Sequence, residues 1–284
     1  MSLGIPHPTD RLAALFDRPG PLIGNLHLPP LPGAPAYAGQ SLDDVCALAV
    51  EDTLTLVRSG FDGVIVENAG DLPYARPEHI GPETVAALTV VTREVRRAAG
   101  VPVGVICVAN AVVPSLAVAK AAGAEFVRAN IWVTSYVANE GQLDGVAAEA
   151  LRYAASIGAR DVLVLADVKV KFGAHTLTAD RSLAEVARDI QMYCADAVVV
   201  TGTRTGSPTG PEDVREVTGA VDLPVLVGSG LAPDNAAELL AVADGAIVGA
   251  FVKHDGKWWN PVDPARAEAL VAAARAAEPA GGRR

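Results

Sequence analysis

Eight short runs of β-branched and aliphatic residues recur along this 284-residue chain, each followed by a stretch with helical spacing. They fall at residues 22–28, 63–68, 103–108, 125–130, 161–169, 196–201, 225–227 and 246–248. The repeat of about 20–40 residues fits a strand plus a crossover helix. A run such as Val225-Leu226-Val227, apolar at every position, reads as a strand buried on both faces. Eight such units, with no Gly-rich dinucleotide fingerprint after the first, predict a closed (β/α)8 TIM barrel of the phosphate-binding type. The expected organisation is an N-terminal extension at 1–20, one barrel over 21–277 and a flexible tail at 278–284. Half the residues are hydrophobic, enough for one large core.

Local punctuation supports the alternation. Ser41 is placed to cap a helix that Gly60 ends. Further helices are expected at 83–99, from Pro114, up to 157, at 182–192 and at 233–242. Asp263 and Pro264 open the last one. Residues 131–145 read as a loop. Residues 101–119 carry no charge and approach the length of a membrane span. Pro102, Gly104, Asn110, Pro114 and Ser115 divide them, so a strand, a turn and a helix are expected instead. No transmembrane segment is predicted, and residues 1–20 lack the apolar stretch of a signal peptide.

The formal net charge is −10. Nucleic acid and anionic membrane surfaces both need a basic patch, so neither is an expected partner. Cys46, Cys107 and Cys194 are few, odd in number and far apart, which suits a reduced, cytoplasmic compartment and a role as small core residues.

Function is most legible at residues 224–251. Gly228-Ser229-Gly230 closes one strand, and Gly249-Ala250 closes the next. Glycines at strand ends let backbone N–H groups approach an anion, and the loops after strands seven and eight of such barrels often hold phosphate. A phosphate is therefore expected between these two turns, held without a required basic side chain. The expected ligand is a phosphorylated small molecule.

The other strand ends are polar: Asn25 and His27; Glu67 and Asn68; Asn110; Arg128 and Asn130; Asp167, Lys169 and Lys171; Thr201 and Gly202. Polar groups are costly inside a barrel unless paired, so their gathering at one rim predicts a site. Asp167, Lys169 and Lys171 point the same way if their strand continues. Such a carboxylate and two amines suit a proton relay, a Schiff-base lysine or a salt-bridged strand end. Asp167, Lys169, Lys171, Glu67 and His27 are the catalytic candidates; Asn25, Asn68, Asn110, Arg128, Asn130, Thr201 and Gly202 are the substrate-binding ones. His27, Glu67, Asp167 and His175 are types that bind metal, but no His-x-His follows the first strand. No cofactor is predicted, with room left for a bound phosphate or divalent metal, and a homo-oligomer stays open.

The segments IGNLHLPPLPGAPAY, DGVIVENAGDLPY, AEFVRANIWVTSYVANEG, ADVKVK, DAVVVTGTRTGSP and VLVGSG…DGAIVGAFVK resemble the BtpA/SgcQ family across residues 20–275. HLPPLPG and VEN-x-GD-x-P are the specific marks; VLVGSG and DGAIVG are shared by many phosphate-binding barrels. The resemblance implies a TIM barrel and two alternatives for function. One is an enzyme on a sugar phosphate, nucleotide or nucleoside, with lyase, isomerase or nucleosidase-type chemistry. The other is a non-catalytic assembly or stability factor for a membrane complex, as in photosystem I biogenesis. The family pattern after strand five is Asp-x-His-x-Lys, whereas this chain has Lys169 at the middle position, which puts a histidine role there in doubt.

Overall fold

The computed structural model describes residues 11–277, so the expected tail at 278–284 and residues 1–10 of the expected N-terminal extension lie outside the described residues. In chain order the elements are α1 (Arg11–Phe16), β1 (Leu22–His27), α2 (Leu42–Arg58), β2 (Gly63–Glu67), α3 (Pro82–Ala99), β3 (Val103–Ile106), α4 (Val112–Ala122), β4 (Phe126–Ala129), β5 (Ser135–Ala138) and β6 (Gly141–Asp144). They continue with α5 (Ala147–Ser156), β7 (Leu163–Asp167), α6 (Leu183–Met192), β8 (Ala197–Val200), α7 (Pro211–Thr218), β9 (Val225–Val227), α8 (Ala236–Leu240), β10 (Ala246–Val248) and α9 (Pro264–Ala277). Eight strands close a parallel barrel in the order β1-β2-β3-β4-β7-β8-β9-β10, with β10 pairing back to β1. The fold is the TIM barrel that the repeat predicts.

Strand periodicity of two sorts the residues into two cores. Leu22, Leu26, Val64, Val66, Val103, Val105, Val127, Val198 and Val225 face the helices. Ile23, Ile65, Ile106, Phe126, Leu163, Leu165, Val199, Leu226 and Ile247 fill the barrel interior. Leu12 and Phe16 of α1 join this inner core, and the Phe16 ring lies 5.9 Å from that of Phe126. Above these apolar layers the same inward parity carries polar side chains, so the chemistry stands on a packed floor.

Four local expectations are corrected. Residues 131–145 are not a plain loop, because β5 and β6 form an antiparallel hairpin. Its alternation is the reason: Tyr136 and Leu143 are opposite one another and buried, while Val137 is exposed. The fifth barrel strand ends at Asp167 rather than Lys169. Beyond it the chain bends to pair Ala174 with Val137 of the hairpin. The helix expected at 233–242 shortens to α8, because the Asn235 side chain accepts from the Ala232 N–H and donates to the Gly230 carbonyl, holding a turn there. Cys194 is exposed, not a core residue; it follows α6 at positive φ, where the backbone turns away from the helix. Residues 101–119 divide as expected, into β3, a turn and the start of α4.

Candidate active site

The two glycine turns meet in one cavity of about 220 Å³, lined by Gly228, Ser229, Gly230, Gly249 and Ala250. Asn25, His27, Arg128 and Lys171 share it. β9 and β10 are neighbours in the sheet, which sets the turns side by side. Gly230 has φ +71°, and a β-carbon there would meet Pro208 Cα and Ser207 O at 2.5 Å. Only glycine fits a turn that is both left-handed and pressed against the preceding loop. A bulky residue at 230 therefore displaces the 207–208 loop as well as filling the cavity.

Arg128 and Asp167 form a buried, two-pronged ion pair, Nε to Oδ1 at 3.0 Å and Nη2 to Oδ2 at 3.1 Å. Asn130 Nδ2 also donates to Asp167 Oδ2, at 3.2 Å. Asp167 is thus committed to Arg128, and Glu67 is not the partner of that arginine. Glu67 instead accepts from Asn25 Nδ2 at 2.5 Å. A carboxylate only accepts, so the Asn25 amide has one permitted orientation, with its oxygen turned away from Glu67. Asn25 Oδ1 is buried and has no hydrogen-bond partner, although Asn25 is only 5% exposed and lines the cavity. A buried amide oxygen left bare costs roughly 1–3 kcal/mol, so a ligand donor is the natural complement.

His27 stands beside Glu67 in the β1–β2 register. Burial lowers its pKa to about 4, against the opposing effect of Glu67. The imidazole is therefore neutral at pH 7. Its Nδ1 lies 2.9 Å from the Trp258 carbonyl, which only accepts, so the proton belongs on Nδ1 and the lone pair on Nε2. Folded His27 resists protonation more than unfolded histidine does. Its contribution is thus unchanged above the unfolded value of about 6.5 and turns unfavourable as pH falls toward 4. The expected loss is about 3 kcal/mol of stability between pH 7 and 4, and His27→Gln should remove that part of the profile. Denaturant titrations of both proteins across this range check it; parallel profiles contradict the assignment.

Burial pushes the Glu67 carboxyl up, but His27, Lys171, the Asn25 amide and Arg128 outweigh it and hold the group below its ordinary range. Burial and the nearby Arg128 lower the Lys171 ammonium, opposed by Glu67 and Asp167. Lys171 makes no hydrogen bond among the described residues, so its amine is open to a ligand.

Other expected site residues lie elsewhere. Lys169 does not line the first cavity, because the strand ends at Asp167 and the chain bends beyond it. Its Nζ donates to the Arg181 carbonyl at 3.4 Å, and it lines a second, adjoining cavity of about 840 Å³ with Thr201 and Gly202. Asn68 and Asn110 are spent on the scaffold. Asn68 accepts from the Val108 N–H and donates to Asp71, which in turn accepts from the Leu31 N–H at 2.7 Å. Asn110 accepts from the Ile131 N–H and donates to the Asp144 carbonyl. Asn130 bridges Asn110 to Asp167. His175 stacks on Tyr136 and bonds the Val170 carbonyl, apart from His27. Among the described residues no three His, Cys, Asp or Glu gather as a metal-binding group.

The two specific motifs pack on each other. A β-carbon on Gly70 would lie 2.5 Å from Pro30 N and 2.6 Å from Pro29 C, so the ENAGD loop touches the backbone of HLPPLPG directly.

Several cavity residues escape the sequence reading, among them Thr205 and Gly206 from the loop after β8, Gly256, and Arg266 from α9. Arg266 Nε donates to the Phe251 carbonyl at 2.6 Å, and its guanidinium lies 4.5 Å from the Phe251 ring centroid. The signal for Arg266 was its place in the first turn of the helix after strand eight. In a βα barrel that turn stands at the same rim as the strand ends.

Residues 18–276 match the sequence profile described as the BtpA family. An uncharacterized protein of Pyrococcus furiosus is 38% identical over 251 residues, covering 88% of this chain and 93% of that one. The photosystem I biogenesis protein BtpA of Synechocystis is 34% identical over 259 residues, covering 91% of this chain and 89% of its own. Among solved structures, (S)-3-O-geranylgeranylglyceryl phosphate synthase from Thermoplasma acidophilum, in complex with its substrate sn-glycerol-1-phosphate, superposes with a TM-score of 0.58 at 16% identity. That match covers 93% of this chain and 96% of the synthase, and at this identity it speaks for the fold alone. No helix among the described residues is long and apolar enough to cross a membrane.

Proposed function

The chain belongs to the BtpA family, and from that premise we propose that it is an enzyme acting on a small phosphorylated molecule held in the cavity between the two glycine turns. The observation that carries this reading is the bare Asn25 Oδ1, buried in a cavity that also offers the Lys171 amine and the Gly228–Gly230 and Gly249–Ala250 turns. Backbone N–H groups in the turns receive the phosphate, with Arg266 and Arg128 supplying positive charge. A ligand hydroxyl donates to Asn25 Oδ1. That places the adjoining carbons near Lys171 and His27.

Lyase, isomerase and nucleosidase-type reactions all need a proton taken from one atom and returned to another. Neutral His27, with its lone pair on Nε2, is the base. Lys171, its ammonium destabilised by burial and Arg128, loses its proton more readily than an ordinary lysine and is the acid or the nucleophile. Glu67 keeps Asn25 oriented and supplies the counter-charge. Borohydride trapping with carbonyl-bearing sugar phosphates separates the two roles of Lys171, because only a Schiff base is reduced to a stable adduct.

The decisive measurement is calorimetry with inorganic phosphate and ribose 5-phosphate. Ser229→Asp sets a carboxylate where the anion would sit, and we expect at least a hundredfold loss of affinity in a protein that remains folded by circular dichroism. Unchanged affinity would refute the cavity as the phosphate site.

A second reading, an assembly factor for a membrane complex, is favoured by the name of the Synechocystis relative. Copurification with a membrane complex, together with no response to any phosphorylated compound, would select it.

A further inference from the structure

The two cavities at the barrel mouth share a wall. Lys171 lines both. The first sits over the ends of β9, β10 and β1, and the second lies between the loops that follow β7 and β8. The second is lined by Lys169, Arg204, Thr201 and Thr203, with Asp213 as its one acidic side chain. Arg204 is exposed, and although its carbonyl accepts from the Ser229 hydroxyl and the Ser207 N–H, its side chain makes no hydrogen bond or ion pair among the described residues. The chain as a whole carries a net charge of −10. Against that background Arg128, Arg266, Lys171, Lys169 and Arg204 all face two adjoining cavities. Of these, only Arg128 forms a direct ion pair among the described residues, while Lys171 feels the Glu67 and Asp167 carboxylates at longer range.

We infer that the ligand carries two anionic groups, a phosphate in the first cavity and a second phosphate or carboxylate in the second, with Lys171 between them. This inference rests on the phosphate reading of the first cavity and names the substrate class more narrowly. Two strand spacings separate the β7–β8 end from the β9–β10 end, roughly 10 Å. A five- or six-carbon chain with an anion at each end spans that distance. Lys171 then meets the middle of the ligand rather than an end, where an amine can act on a carbon between the charged groups. Lys169 and Arg204 bind the distal anion as charges at a solvent-open mouth, so their contribution weakens with salt.

The test compares inorganic phosphate, ribose 5-phosphate and ribulose 1,5-bisphosphate by calorimetry at low ionic strength, with 6-phosphogluconate, a six-carbon acid, distinguishing a distal carboxylate from a distal phosphate. We expect ribulose 1,5-bisphosphate or 6-phosphogluconate to bind at least tenfold tighter than ribose 5-phosphate. Arg204→Ser should erase most of that advantage while leaving the affinity for inorganic phosphate unchanged. Because the Arg204 side chain is exposed and only its backbone carbonyl is hydrogen-bonded, which serine at 204 keeps, the loss of the guanidinium reports on binding; Lys169→Ser serves as a second variant. Equal affinity for the one-anion and two-anion ligands, with inorganic phosphate bound, overturns the inference and leaves the phosphate reading standing. An advantage that survives in both variants also overturns it. Failure of inorganic phosphate to bind at all overturns both.

Discussion

Asp167→Ala is expected to destabilise the protein by about 3–5 kcal/mol, the cost of stranding a buried charge. The Arg128 side chain is 4% exposed and that of Asp167 0%. Removing the carboxylate leaves the guanidinium facing the barrel interior without its counter-ion, and Asn130 loses an acceptor. The double change Arg128→Leu with Asp167→Leu should recover most of the loss, because a buried ion pair exchanged for apolar groups of similar volume is often neutral. That double variant should still bind phosphate more weakly, since Arg128 lines the cavity. Urea unfolding of the three proteins measures the first effect and calorimetry the second. A loss below about 1 kcal/mol in Asp167→Ala would contradict the description of this pair as buried and mutually dependent.

Asp52→Ala is expected to cost a similar 3–5 kcal/mol, for a related reason with a different remedy. Asp52 on α2 accepts from Lys253 Nζ at 2.7 Å and, through its other oxygen, from the Val262 N–H at 2.7 Å. The Lys253 side chain is 1% exposed. Burial lowers its pKa, and Asp52 works against that shift. Adding Lys253→Met to Asp52→Ala should restore only part of the stability, because the Val262 N–H stays unsatisfied. Full recovery in the double variant would show that the amide finds another partner. Val262 and Lys253 pair across the excursion that includes Trp258, and the Trp258 carbonyl fixes the His27 tautomer. Asp52→Ala should therefore loosen His27 as well, even though Asp52 does not line the cavity.

The barrel was legible because its signal is redundant: eight apolar runs repeat, and an error in one leaves seven. Much of the site was legible through parity. Ile23, Ile65, Phe126, Leu165, Val199 and Ile247 face inward. Counting by twos from them points Asn25, His27, Glu67, Arg128, Asp167 and Thr201 the same way. The same count sends Asn68 outward, and there it ties loops together. Parity fails where the strand stops, so Lys169 turned out to line the neighbouring cavity. Composition hid Arg204 and Arg266 as ordinary surface charges, since nothing local distinguishes an arginine that faces a cavity from one that faces bulk water. The hairpin was hidden for another reason: four-residue strands carry too few alternations to stand out from a loop.

The fit of Gly70 beneath Pro29 and Pro30 bears on how such chains are told apart. The marks by which this one is recognised belong mostly to the mortise and tenon of its rim; His27 is the one cavity side chain within them, while Asn25, Arg128, Lys171 and Arg266 sit outside. A chain that kept both loops and exchanged Lys171, Arg204 and Asn25 would wear the same badge and practise a different trade. Kinship read from those loops vouches for the frame of the barrel mouth and for His27, and the rest of the catalyst must be sought residue by residue within it.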